Sequence, residues 1–78
     1  MLYYLACVTM KNKVKPYRQL AELTQAELAE KIGVSRQTIH AIEKGQYNPS
    51  ILLVLKIASV LDKEVEELFL IEERDWLD

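Results

Sequence analysis

Apolar residues recur along most of this chain at the three- and four-residue spacing that lines one face of a helix. The clearest case is Leu28, Ala29 and Ile32, followed after Gly33 by Ile39 and Ile42. The pattern predicts two short helices joined by a tight turn. Thr24, with Glu27 three residues on, is a capping box for the first helix: hydroxyl to backbone N–H, carboxylate back to the cap N–H. Gly33 falls where a left-handed residue ends that helix, a conformation glycine takes without a Cβ penalty. Ser35 is an N-cap for the second helix, and Gly45 closes it. Arg36, Gln37 and His40, with the small Thr38 and Ala41, are left for the outer face.

The flanking segments follow the same logic. An earlier helix runs from about Lys13 or Lys15 to Glu22, with Val14, Tyr17, Leu20 and Ala21 inward. Pro16 is tolerable only in its first turn, so the start is late, with Lys15 or Asn12 at the cap. Gln46–Pro49 is a loop by its Asn-Pro punctuation, and Ser50 caps a helix from Ile51 to Leu61. That helix is apolar except for Lys56 and Ser59, which predicts burial on more than one side and a place at the centre of the core. Leu52 shares the stripe of Lys56, Ser59 and Lys63, and the pattern does not explain its exposure. A last helix, about Glu64 to Leu70, buries Val65, Leu68 and Phe69 and places Glu64, Glu66 and Glu67 at its positive end.

The division expected is an extension at residues 1–9, a folded domain at 10–70 and an acidic tail at 71–78. The first ten residues are apolar strand formers, too short to span a bilayer and without the charged front of a signal peptide. An upstream start, a disordered leader and a strand against Leu68–Ile71 all remain open for them. At 78 residues there is room for one small core and no catalytic lobe. The single cysteine, Cys7, makes no internal disulfide, which suits a reducing, cytoplasmic setting.

Net charge is −2, but it is unevenly placed. Residues 1–50 carry seven Lys or Arg against four Glu, a net +3. Residues 51–78 carry three basic against eight acidic residues, a net −5. One end can face phosphate while the other is kept away from it.

The run Leu23-Thr24-Gln25, Glu27-Leu28-Ala29, Gly33-Val34-Ser35-Arg36-Gln37-Thr38-Ile39, Ile42-Glu43-Lys44-Gly45 and Tyr47-Asn48-Pro49-Ser50 resembles the Cro/CI-type (XRE) helix-turn-helix regulators. The likeness covers roughly Met10 to Phe69 and is strongest to short single-domain members of the cytolysin-repressor type. It implies an all-α, five-helix lambda-repressor-like domain, with a short antiparallel strand pair near Val8–Lys11 from the chain ends. It also implies that the second helix of the motif reads double-stranded DNA. Two positions depart from the pattern: Glu22 and Asp62 stand where relatives commonly have glycine, which predicts less ideal joints. Glu64 likewise replaces a serine cap.

Arg36 and Gln37, in the first turn of the reading helix, are the expected base contacts, because arginine's fork matches guanine and glutamine's amide matches adenine. Thr38 is assigned to a thymine methyl or a phosphate, and Ala41 to close approach. Gln25, Ser35, His40, Lys44, Tyr47 and Asn48 are the expected phosphate contacts, with Tyr47 equally suited to packing under its loop. The resemblance pairs Arg18 with Glu43 as a partly buried structural ion pair.

Catalysis is not expected: there is no phosphate loop, no second histidine, and Ser35 and Ser50 serve as caps. One histidine and one cysteine make no metal site, and no cofactor, membrane or small-molecule ligand is expected. Surplus apolar residues (Leu2, Tyr3, Tyr4, Leu70, Ile71, Trp76, Leu77) and the greasy fourth helix suggest a homodimer through Leu61, Val65, Leu68, Phe69 and Ile71. Such a dimer would point two reading helices, about 34 Å apart, into successive major grooves of a palindromic operator. The function expected is repression by occupying a promoter. The rivals are an antitoxin regulating its own operon and a protein-interaction adaptor that does not bind DNA.

Overall fold

The computed structural model describes residues 11–70. Five helices follow one another: α1 (Val14–Leu20), α2 (Gln25–Ile32), α3 (Arg36–Glu43), α4 (Ile51–Leu61) and α5 (Val65–Leu68). The residue 1–9 extension, the 71–78 tail and the expected roles of Leu2, Tyr3, Tyr4, Ile71, Trp76 and Leu77 lie outside the described residues. Every helix sends at least one fully buried side chain to a common centre: Val14, Leu28, Ile39 and Ile42, Ile57, and Leu68. Each such burial stabilises the fold by roughly 1.5–3 kcal/mol.

The middle of the chain follows its local signals. The Thr24 hydroxyl accepts from the Glu27 N–H at 3.0 Å, and the Glu27 carboxylate accepts from the Thr24 N–H at 2.8 Å. Ser35 and Ser50 cap α3 and α4 by accepting from Thr38 and Leu53 N–H, each at 3.2 Å. All of the first four helices end the same way. A left-handed residue follows each of them, directly after α2 and α4 and one position later after α1 and α3 (Glu22 φ 60°, Gly33 φ 78°, Gly45 φ 73°, Asp62 φ 56°), and the N–H beyond it reaches back five residues to a carbonyl. The glycine replacements at Glu22 and Asp62 therefore leave the bends unchanged in form. The departure lies in which residue must hold a strained φ.

Three expectations need correction. In α1, Leu20 is 76% exposed and Ala21 is exposed as well. The inward stripe is Val14, Tyr17 and Arg18, with Leu20 six residues after Val14 on the opposite flank and Ala21 already at the C-cap. Pro16 does sit in the first turn, but the N-cap is Lys13 rather than Lys15 or Asn12; Asn12 contributes from one residue further back, its side-chain Oδ1 accepting from the Val14 N–H at 3.1 Å. In α4, burial is one-sided: Leu53, Val54, Ile57, Ala58 and Leu61 turn inward while Ile51, Leu52 and Leu55 stay more than half exposed. A helix of such composition is apolar all round, but five helices of this length cover only one of its faces.

Finally, α5 stops at Leu68, short of Leu70. Phe69 is extended (φ −119°, ψ 117°) and forms an antiparallel bridge with Asn12. The Lys13 N–H donates to the Leu68 carbonyl at 2.7 Å and the Leu70 N–H to that of Lys11 at 3.0 Å. The pairing thus involves Lys11, at the end of the stretch expected, and Asn12 beside it, while residues 8–10 lie outside the described residues; backbone committed to that bridge is withdrawn from the helix. Of the residues expected at a dimer interface, Leu61, Leu68 and Phe69 are buried in the core of the single chain and Val65 is half-buried, while Ile71 lies outside the described residues.

Candidate nucleic-acid interface

Ile39 and Ile42 anchor α3 to the core with no exposed surface, so the opposite side of that helix is fixed outward. Arg36, Gln37, His40 and Lys44 are all exposed and follow one another along that side at positions i, i+1, i+4 and i+8. Ala41 is half-buried beside them. Thr38 is also half-buried, and its hydroxyl lies 3.0 Å from the Ser35 hydroxyl, so it is turned back onto the helix cap. Ser35 serves both that contact and the Thr38 N–H. Tyr47 and Asn48 are exposed in the loop that follows. Asn48 also lines a shallow apolar hollow with Ile51, Val65 and Phe69.

The far end of α3 is held by charge. The Arg18 Nε donates to Glu43 Oε2 at 2.6 Å and an Arg18 terminal nitrogen donates to Glu43 Oε1 at 3.3 Å. The other guanidinium nitrogen donates to the Leu23 carbonyl at 2.8 Å, bracing the chain just after the Glu22 bend. Both side chains are nearly out of solvent, at 10% and 3% exposure. A pair so placed depends on being complete, because either charge alone would be stranded in low dielectric.

Two further ties were not visible in the pattern of residues. Gln25, expected only to face phosphate, donates its amide N–H to Glu43 Oε1 at 3.0 Å. Asn12 donates its own amide to the Ile42 carbonyl at 2.7 Å, joining the end of α3 to the start of α1. An asparagine ahead of a helix is a capping signal, and Asn12 does accept from Val14, but nothing local points to a partner thirty residues away. Among the described residues every buried side-chain polar atom has a partner, and no cluster of histidine, cysteine and carboxylates is placed to hold a metal. No described helix is long and apolar enough to cross a membrane.

Two capped helices about a glycine turn, the second presenting a polar stripe outward, are a helix-turn-helix. The helix-turn-helix family model matches residues 14–68, from the first residue of α1 to the last of α5. The chain belongs to this family, as a DNA-binding transcriptional regulator of the Cro/CI (XRE) type. Among relatives of this helix-turn-helix regulator is an uncharacterised HTH-type transcriptional regulator of Methanocaldococcus jannaschii. It is 56% identical over 64 residues, spanning 82% of this chain and 97% of the relative. The immunity repressor protein of Bacillus phage phi105 is 36% identical over 58 residues, 74% of this chain but 40% of the repressor. Among solved structures, the restriction-modification controller protein C.AhdI of Aeromonas hydrophila superposes with a TM-score of 0.64 at 35% identity. That match covers 69% of this chain and 78% of the controller. By name these are a transcriptional regulator, a repressor and a controller protein, and the described site displays polar side chains outward along a helix.

Proposed function

We propose that this regulator represses transcription by occupying operator DNA as a homodimer, with α3 in the major groove. The observation that carries the reading is the outward stripe of Arg36, Gln37, His40 and Lys44 on a helix whose other side is locked by Ile39 and Ile42. Arg36 and Gln37 read base edges, and Ala41 leaves room for the backbone to approach. Thr38, with its hydroxyl on Ser35, offers its methyl to a thymine. Gln25, Ser35, His40, Lys44, Tyr47 and Asn48 hold phosphates and set the register. The two-fold interface is drawn on the exposed apolar start of α4, Ile51, Leu52 and Leu55, together with half-buried Val65. A contiguous apolar patch of this kind is unfavourable in water and is covered by pairing with a second copy. The acidic residues of the second half then lie away from phosphate. The place of action is the cytoplasm, where a fold with the single cysteine Cys7 needs no disulfide.

Selection of bound sites from a random DNA library tests the reading. A two-fold symmetric consensus is expected, and Arg36→Ala should lose about 1–3 kcal/mol at that site while relaxing one position in each half. A selection profile that Arg36→Ala leaves unchanged would remove α3 from the groove. Sedimentation without DNA should give twice the chain mass for the wild type and the single chain mass for Leu52→Lys/Leu55→Lys. A wild-type monomer sinks the interface.

A further inference from the structure

The Glu43 carboxylate does more than neutralise Arg18. One of its oxygens, Oε1, also accepts from the Gln25 amide at 3.0 Å, across eighteen residues of chain. Gln25 is the first residue of α2 and Glu43 the last of α3, so this bond closes the helix-turn-helix at the ends remote from the Gly33 turn. A carboxylate can only accept, so it draws the NH2 end of the Gln25 amide inward and leaves no freedom for the flipped arrangement. One N–H of that group is then used on Glu43. The second has no acceptor among the described residues, and Gln25 is only half-buried.

We propose that Glu43 is a positioning residue for DNA-backbone binding: it orients the Gln25 amide so that its second N–H is presented to a phosphate oxygen. The inference rests on the reading of Gln25 as a phosphate contact and adds what sets its geometry. A free glutamine side chain samples many rotamers and either amide orientation. One already tethered to a buried carboxylate reaches the phosphate with less ordering left to do. The arrangement also ties the phosphate contact of α2 to the end of the base-reading helix, so the two helices dock as one piece.

The test compares Gln25→Met, Glu43→Gln and Arg18→Met/Glu43→Leu on a labelled duplex of random sequence and on a duplex enriched by selection. The last variant replaces the ion pair by apolar side chains, which preserves folding while leaving Gln25 untethered. Each variant should bind both duplexes roughly tenfold more weakly, the scale of one hydrogen bond to a charged group. Adding Gln25→Met to either Glu43 variant should weaken binding by much less than it does in the wild type, because the untethered amide makes the contact only part of the time. The dependence of affinity on salt should stay that of the wild type, because no cation is lost from the interface. A Glu43 with a purely structural role would instead give effects that multiply with Gln25→Met, and that result overturns the positioning role alone, as would Gln25→Met binding like the wild type. A wild-type chain that bound neither duplex would overturn the DNA-binding reading and this proposal together.

Discussion

The helix ends inside the helix-turn-helix and those at its two outer joints have the same backbone and different residues. Gly33 and Gly45 end α2 and α3, while Glu22 and Asp62 end α1 and α4, all four between φ 56° and 78°. At each, the N–H after the left-handed residue bonds back to the carbonyl five residues earlier: Leu23 to Arg18, Val34 to Ala29, Gln46 to Ala41 and Lys63 to Ala58. The shape of the joint is therefore imposed by the packing of the helices on either side. The residue type decides only how much strain is held there. The outer joints carry extra ties that the inner turn lacks. Arg18 bonds the Leu23 carbonyl at 2.8 Å next to the first, and the Lys63 ammonium sits 4.9 Å from the centre of the Tyr17 ring next to the second. Strain from an L-residue is tolerated where tertiary contacts over-determine the bend.

The comparison breaks most severely if the first joint loses its brace. Arg18→Met removes the guanidinium from the Leu23 carbonyl and strands Glu43 with only the Gln25 amide, and should destabilise folding by about 3 kcal/mol or more. Arg18→Met/Glu43→Leu should recover much of that loss. Denaturant unfolding of the two variants and of Glu43→Leu gives the coupling, and a value near zero would reduce the pair to two independent side chains. Next in size is Gly33→Ala. No atom lies within 4 Å of where its Cβ would stand, so the expected loss of about 1–2 kcal/mol is conformational alone. Calorimetry should show that loss with DNA binding retained; an unchanged melting temperature would mean the turn had shifted.

Glu22→Gly sharpens the comparison in the opposite direction. It relieves the left-handed strain at the first joint and gives back part of that gain as unfolded-chain entropy, leaving a net stabilisation of about 0.5–1 kcal/mol. Asp62→Gly should gain less, because a short polar side chain tolerates this conformation better than a glutamate does. Equal gains at both sites would show that side-chain type is irrelevant to the strain. Smallest is Lys63→Ala, which should lose about 0.5 kcal/mol with its exposed cation–π contact.

What the residues alone determined is local. The extents of α2, α3 and α4 follow from Thr24, Ser35 and Ser50, whose hydroxyls act within three residues, and from apolar spacing within each helix. The outward stripe of α3 was legible for the same reason: once Ile39 and Ile42 face in, Arg36, Gln37 and His40 have only one side left. Tertiary structure decided whatever depends on a distant partner. Arg18 holds an inward position of α1 because Glu43 waits there, and Leu20 is left in solvent. Asn12 turns to the Ile42 carbonyl and Gln25 to the Glu43 carboxylate, neither of which any local spacing announces. Phe69 leaves α5 because the bridge with Asn12 offers its backbone a different set of bonds. Periodicity tells which residues share a face; only the packed chain tells which of the faces find a partner within it, and that is why an apolar α4 leaves Leu52 and Leu55 outside the core while α1 buries an arginine.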